Sequence, residues 1–483
     1  MLSFSEELSK LLAQSNIAIY TLAKNTGIDR RAIYRLKDGT KKPKLSEVNK
    51  ITKALSISKE DKDRLWQAYE ISMIGEEKYR SRQRTKEFLE TLSSIYSSQK
   101  ENMIMFTKSE FDIPKESTTI QGQTNIDTFL RNVMSLENSS NGYIYIQTDL
   151  SYDYLFNELS FHISCNPSID AKVFVSMKSP DDDLYNDSIF SIAKIYPLLL
   201  LGENCQAKFI KVTSNITALF PYNIVTSNFL VSISQDKKSA VVTKAKSIVD
   251  STKNIFLKVF NKGTDFVTHL DLNESALHTL DSLFKQHKNK KILLYSMDYE
   301  PCVTILADKE ILDKAINKES KSALELIEMY SKASSNILGS VSYFTLDGLK
   351  SFLKTGELFG IPKDYYHVLD RELIIKIIKN MYLAYKSGFY KPYLIDSSNF
   401  NYPKNFRYSG SGTIYDYFFI TLTNNENILN TMSLNESGLS GYFYDFVESL
   451  PQTNLVFSCE ESMEIIIAET EKILNCKIDL DNL

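Results

Sequence analysis

Four side chains within six residues carry the most specific chemistry in this sequence: Arg30, Arg31, Tyr34 and Arg35. Read as a helix, they share one face, because positions i, i+1, i+4 and i+5 span less than half a turn. A guanidinium is a planar fork of donors that meets two acceptors at once, on a phosphate or on the O6/N7 edge of guanine. The phenol adds an apolar ring and one hydroxyl, able to pack on a thymine methyl or to bond a phosphate. Just beyond, the segment GTKKPK gathers Thr40, Lys41, Lys42 and Lys44, a hydroxyl and three ammonium groups suited to a phosphate backbone. This is chemistry for gripping a polyanion. Which residue reads a base and which holds the backbone is open at this point.

The residue types of catalysis are sparse. Five histidines (His162, His269, His278, His287 and His367) leave little material for acid–base work, though carboxylates alone can act. Asp181, Asp182 and Asp183 form a run, but adjacent side chains point apart and no histidine accompanies them; a solvated turn is expected. His162 and Cys165 stand at helical spacing without further ligands nearby and read as core or surface. Gly410 and Gly412, in SGSG, lack the strand, fingerprint and following helix of a nucleotide site, and no GxSxG, HExxH or P-loop occurs. No enzymatic activity, metal or cofactor is expected.

Presenting the four side chains requires a short helix held to a core by its other face. Asp29 to Lys37 fits: Ile33 and Leu36 turn inward, Asp29 is placed to cap the helix and Gly39 to stop it. A companion helix begins near Ile19, with Leu22 and Ala23 inward. Gly27 sits at the reversal, where positive φ is needed, and Ile28 follows as a plug. Small Ala23, turn Gly27 and inner Ile33 and Leu36 together resemble the helix-turn-helix of the Cro/C1-type (XRE) family of phage-repressor-like regulators. Flanking helices extend the resemblance over Phe4 to Tyr69. One runs near Phe4 to Gln14, one carries Leu45, Val48, Ile51, Ala54 and Leu55, and one runs near Lys59 to Ile71 with Leu65, Trp66 and Tyr69. The resemblance implies a five-helix domain whose second motif helix enters the major groove of double-stranded DNA. Two departures stand out. Ala18 and Ile19 occupy positions where the family often has a capping Ser-Gln pair, and Lys37 stands where a glutamate is common.

Charge supports one basic module on an acidic body. The formal net charge is -4, yet residues 29–53 carry nine basic and three acidic side chains. A polyanion met at one end of the molecule is implied. The 483 residues and 43% apolar content allow two to four domains with real cores. Five scattered cysteines offer neither a zinc spacing nor a disulfide framework, so a reducing, cytoplasmic setting is expected. The longest apolar candidate, Ile192 to Leu201, is broken by Lys194 and Pro197; no membrane span or secretion leader is expected.

Four segments follow: 1–72 as the helix-turn-helix domain, 73–100 as a linker helix, 101–264 as an α/β sensor or dimerisation domain, and 265–483 as a second α/β domain. Phe88, Leu89, Leu92 and Ile95 make an apolar stripe on the linker, suited either to couple domains or to pair with a second copy. In the body, strands are expected at Met103–Phe106, Tyr143–Gln147, Lys172–Ser176, Ala207–Val212, Asn223–Val225, Phe229–Ile233 and Ala240–Val242. Helices are expected at Asn125–Met134, Tyr152–Phe161, Ile189–Leu201 and Lys246–Phe260. The last carries Ile248, Val249, Ile255, Phe256, Val259 and Phe260 inward. Over residues 120–262 this order resembles the phospholipase D-like fold, which some regulators use as an inert sensing or dimerising body. Its catalytic form needs a lysine two residues after a histidine, and none of the five histidines has one.

The second half reads similarly, with strands at Lys291–Tyr295, Val303–Leu306, Tyr390–Ile395, Thr413–Leu422 and Leu455–Phe457. A final helix is capped by Ser458 and Glu461. The similar order of the halves matches a duplication, although no sequence motif repeats. Tyr365, Tyr366, Tyr382, Tyr385, Phe389, Tyr390 and Tyr393 could line a pocket or interface, with ordinary core the favoured reading. The expected function is sequence-specific DNA binding and transcriptional regulation by a homodimer, with a body responsive to a small-molecule or peptide effector. The alternative is a defence-associated or interaction protein whose body is the effector and whose head localises it.

Overall fold

The computed structural model describes residues 2–98, 117–138, 142–149, 151–178, 198, 205–212, 220–265, 267–270, 292–334, 337–358, 361, 363–404, 406–411, 418–423, 429–434 and 437–480. It shows an N-terminal helical bundle followed by a mixed α/β body.

Helix α1 (Phe4–Ser15) opens on a capping box: Ser3 Oγ accepts from the Glu6 amide, and the Ser3 amide donates to Glu6 at 2.7 Å. α2 (Ile19–Thr26), α3 (Arg30–Lys37), α4 (Leu45–Ala54) and α5 (Lys59–Ile74) complete the bundle. Eight-residue helices such as α2 and α3 are too short to persist alone in water. Tertiary packing holds them: Leu8, Leu11, Leu22, Ile33, Leu36, Val48, Ile51 and Leu65 are fully buried in one core.

At Gly75, φ of 84° breaks the helical path, and α6 (Glu76–Ser98) begins. Phe88 and Leu89 are fully buried, and Phe88 meets Phe443 edge-on at 5.5 Å. This part of the linker stripe therefore couples head to body. Leu92 and Ile95 lie outside the described side chains.

The first sheet holds β1 (Thr118–Gln121), β2 (Tyr143–Thr148), β3 (Asp170–Lys178), β4 (Cys205–Val212), β5 (Tyr222–Thr226), β6 (Leu230–Ile233), β7 (Ser239–Thr243) and β8 (Thr264–Asp265). The second holds β9 (Val267–Leu270), β10 (Ile292–Met297), β11 (Ile337–Thr345), β12 (Tyr390–Ile395), β13 (Phe406–Ser411), β14 (Phe418–Thr423) and β15 (Leu429–Leu434). Their orders are β1-β7-β6-β5-β2-β3-β4-β8 and β12-β11-β10-β13-β14-β15-β9. Read from β9, the second order repeats the first over seven strands, β8 having no counterpart. In each, three parallel strands join an antiparallel meander that ends on the unit's own first strand. The similar order of the halves is thus a repeated topology.

Strand periodicity explains the layers. Ile144, Ile146, Val173 and Val175 face the core that holds α7 (Gln123–Asn138) and α8 (Asp153–Cys165). Tyr145, Phe174 and Val225 face the opposite way, onto α9 (Lys246–Phe260). Here one expectation is corrected. Val249, Phe256 and Phe260 of α9 pack on the sheet, with Leu257 partly buried against them; Ile248, Ile255 and Val259 are exposed. A flat sheet face accepts a narrow arc of a helix, and α9 is apolar beyond that arc.

In the second unit, α10 (Lys309–Ala315), α11 (Lys321–Ser334), α12 (Leu346–Thr355), α13 (Arg371–Lys386), α14 (Ser437–Ser449) and α15 (Cys459–Leu474) flank the sheet. Tyr365, Tyr366 and Tyr390 are buried, and Tyr343 stacks on Tyr393 at 5.3 Å. The expected strand at Val303–Leu306 is instead a single 3-10 turn over Thr304–Leu306. Both edges of β10 are already taken by β11 and β13, so a strand following it has no free edge to pair with. Leu455–Phe457 shrinks to one bridge, Ile395 to Val456. Met103–Phe106, Asp181–Asp183, the Ile189–Leu201 helix apart from Leu198, Gly412, residues 413–417, His278 and His287 lie outside the described residues.

Candidate nucleic-acid interface

α3 is built to present one face. Asp29 accepts from the Arg31 and Ala32 amides at 2.8 and 3.2 Å, satisfying donors the first turn would leave open. Gly27, at φ 68°, ends α2, its amide bonding the Ala23 carbonyl at 2.9 Å. With Ile33 and Leu36 fully buried, Arg30, Arg31, Tyr34 and Arg35 all stand exposed. The Arg30 guanidinium lies 5.7 Å from the Tyr34 ring centroid, so the two sit on one patch.

The following loop folds back on α3. The Lys41 amide and Thr40 hydroxyl donate to the Arg35 carbonyl at 3.1 and 3.3 Å. Gly39 takes φ of 71°, and a Cβ there would meet Ser5 Oγ at 3.1 Å. Thr40, Lys42 and Lys44 are exposed beside the patch. Lys41 differs: its ammonium is engaged by the Glu47 carboxylate and only 21% of its side chain is accessible. At the start of α2, Ala18 provides no side-chain cap, consistent with the departure noted at that position.

The bundle is fastened to the body elsewhere. Lys53 pairs with Glu461 at 2.8 Å, and Lys59 donates to the Ser398 carbonyl. Arg82 grips Asp445 bidentately at 2.7 and 3.0 Å, with Lys78 on the same carboxylate at 2.8 Å. Burial would push the Asp445 carboxyl up, but the hydrogen bonds from Arg82 and Lys78 outweigh it and hold the group below its ordinary value. Hydrogen bonds from Lys53 and Ser458 bring Glu461 down to about 2. These contacts come from α4, α5 and α6. None involves α3 or the loop after it, so these contacts leave the basic patch uncovered.

A group that sequence reasoning missed lies in the seam. Glu70, only 8% exposed, lines a cavity between α5, α6 and the body. The signal was available: Glu70 stands one turn after Trp66, on the inward side of α5, where an acid is out of place. His162 proves to be core, its Nδ1 2.9 Å from Asn138 Nδ2 and its Nε2 3.3 Å from Glu158, while Cys165 is exposed. Among the described residues, no cluster of three His, Cys, Asp or Glu could hold a metal, and no helix is long and apolar enough to cross a membrane.

Residues 7–61 match the Cro/C1-type HTH DNA-binding domain family. The N-terminal bundle is therefore a helix-turn-helix DNA-binding module. No curated protein matches the chain. Among solved structures, a polyphosphate kinase from Porphyromonas gingivalis aligns at 11% identity and TM-score 0.22, over 69% of this chain and 50% of its own. This chain thus spans half the kinase's length. TrmBL2, an archaeal chromatin protein with a novel mode of DNA binding, aligns at 11% identity and TM-score 0.22, over 54% of this chain and 99% of its own. Phosphatidylserine synthase from Haemophilus influenzae Rd KW20 aligns at 10% identity and TM-score 0.24, over 81% and 98%. Likenesses this distant carry no argument about what this chain does.

Proposed function

We propose that the protein is a sequence-specific DNA-binding regulator of transcription, acting as a homodimer whose α/β body responds to an effector. The observation that carries the reading is the capped α3 with Arg30, Arg31, Tyr34 and Arg35 all exposed on it. In this reading α3 lies in the major groove, and Thr40, Lys42 and Lys44 hold the flanking phosphates. Lys41 contributes less, because its charge is engaged by Glu47. The body keeps two heads at a fixed separation, and no catalytic step is involved. The exposed apolar stripe Ile248, Ile255 and Val259 on α9 supports pairing of two copies.

Recovery of genomic DNA bound to the full-length protein, at stated salt, tests this. Sharp sites sharing a palindrome, with half-sites about 10 bp apart or a multiple of that, are expected. Sequence-blind recovery, or none, overturns it.

A further inference from the structure

The seam between the DNA-binding module and the body holds a partly open cavity of about 210 Å³. Trp66, Gln67 and Glu70 of α5, Tyr79, Gln83 and Lys86 of α6, and Asn399 and Asn454 of the body line it, with Lys59 and Asp63 at its rim. One of these groups, Glu70, points to a missing partner. Glu70 is more than nine-tenths buried, and its carboxyl has no hydrogen-bond partner among the described residues. Buried polar groups in folded proteins are normally satisfied by protein, water or ligand. Burial drives Glu70 up to about 7, against the pull of Arg82 and Lys86.

The charge pattern selects the ligand class. Glu70 and Lys86 line this small space, with the exposed Asp63 and Lys59 at its mouth; the Lys59 ammonium donates to the Ser398 carbonyl, and the Lys86 ammonium lies 3.7 Å from Glu90. Lys86 is near enough to Glu70 to act on its charge, so opposite charges stand side by side. The volume is below that of drug-sized pockets. A molecule matching both features is small and carries an ammonium adjacent to a carboxylate.

We propose that this cavity binds a free α-amino acid, its ammonium donating to Glu70 and its carboxylate accepting from Lys86. The remaining space, bordered by Trp66 and Tyr79, takes the side chain. Because the lining comes from α5, α6 and the body together, the bound amino acid ties the head to the body. This last step rests on the regulator reading; the binding itself does not.

The chain's single tryptophan, Trp66, lines the site and reports on it directly. Proteinogenic L-α-amino acids are titrated one at a time into full-length protein, with methylammonium and acetate as single-charge probes. At least one amino acid is expected to change Trp66 emission saturably with Kd below about 1 mM. Neither single-charge probe should do so. Glu70→Gln and Lys86→Met should each weaken binding about tenfold or more; the second variant keeps the test valid should the first fail to fold. Absence of any saturable response up to about 10 mM overturns the proposal. So does equal binding by acetate or methylammonium, or unchanged binding in a folded variant. DNA affinity measured with the amino acid bound separates the two claims. An amino acid that binds yet leaves DNA affinity unchanged overturns the coupling and leaves the site.

Discussion

Glu70 should make the joint weaker as pH rises from about 4.5 towards neutrality. Its carboxyl moves from 4.5 to about 7 because burial disfavours the charged form. Asp63, Lys59 and Tyr79 also face it, and Arg82 and Lys86 act on it from α6. Between these two values the folded protein holds a proton that the unfolded chain has released. Stability therefore falls with rising pH across this window and is flat above it. The shift corresponds to about 3 kcal/mol, since each pK unit is worth about 1.4 kcal/mol. Solvent screening removes little of this, because Glu70 is buried. Residues 1–98 contain no histidine, so no imidazole titrates there in the same window. Urea unfolding followed by Trp66 emission reads the head and joint selectively. The midpoint is expected to fall from pH 5 to pH 8 in the native protein. In Glu70→Gln it should stay level, leaving the variant more stable at pH 8 by up to the same amount. Parallel pH profiles for the two proteins would refute the reasoning.

Other outcomes follow from the same contacts. Arg31→Ala and Arg35→Ala should each weaken specific DNA binding by about 1–3 kcal/mol, while Trp66-monitored unfolding stays unchanged because both side chains are exposed; retained affinity in both misplaces the recognition surface. Removing Lys42 or Lys44 should lower the slope of log K against log salt by about one each. Lys41→Ala should lower it less, and equal slopes would contradict its engagement by Glu47. Asp445→Asn strips a half-buried carboxylate from Arg82 and Lys78 and should destabilise the joint by about 1.5–3 kcal/mol at pH 7. As the Asp445 carboxyl is held below its ordinary 3.8, that stabilisation is intact above 3.8 and is lost only as pH falls through its lower, folded value. An unchanged Trp66 unfolding midpoint would dismiss the ion pair as a support. Gly348→Ala places a Cβ 1.7 Å from the Tyr299 carbonyl oxygen, an immovable backbone atom. A loss of at least about 1–3 kcal/mol in the second unit, read by far-UV circular dichroism melts, is expected, and a wild-type melt would show that the close approach relaxes freely.

Local rules made the head legible. Capping at Asp29, the reversal at Gly27 and the inward Ile33 and Leu36 are decided within a few residues, so type and spacing suffice. The same holds for the Ser458–Glu461 capping box on α15. Failures came where a distant element decides. Val303–Leu306 has strand composition, but whether it can pair depends on β13, a hundred residues later. Ile255 has the same local claim to burial as Phe256, and only the width of the sheet beneath α9 separates them. The repeated topology left no mark in sequence because pairing order constrains backbone neighbours, which many side chains satisfy. At the interface, exposure of the four α3 residues could be read from periodicity, whereas the diversion of Lys41 to Glu47 required the loop's fold.

The seam gives these separate parts a common consequence. An eight-residue recognition helix has little freedom of its own, so the direction it faces is inherited from whatever holds the bundle. Here that is α5 continued through Gly75 into α6, whose Phe88 and Arg82 are fixed by Phe443 and Asp445 of a single helix, α14. Packing and charge thus anchor the linker to the second α/β unit, while Lys53 and Lys59 hold the bundle to it at two further points. On the proposed reading, a dimer with two such heads can change their relative orientation without touching α3, by loosening contacts that involve none of its exposed side chains. The Arg82 and Lys78 pairs to Asp445 and the buried Glu70 carboxyl lie at that place, which makes the joint an element on which a small bound molecule could act.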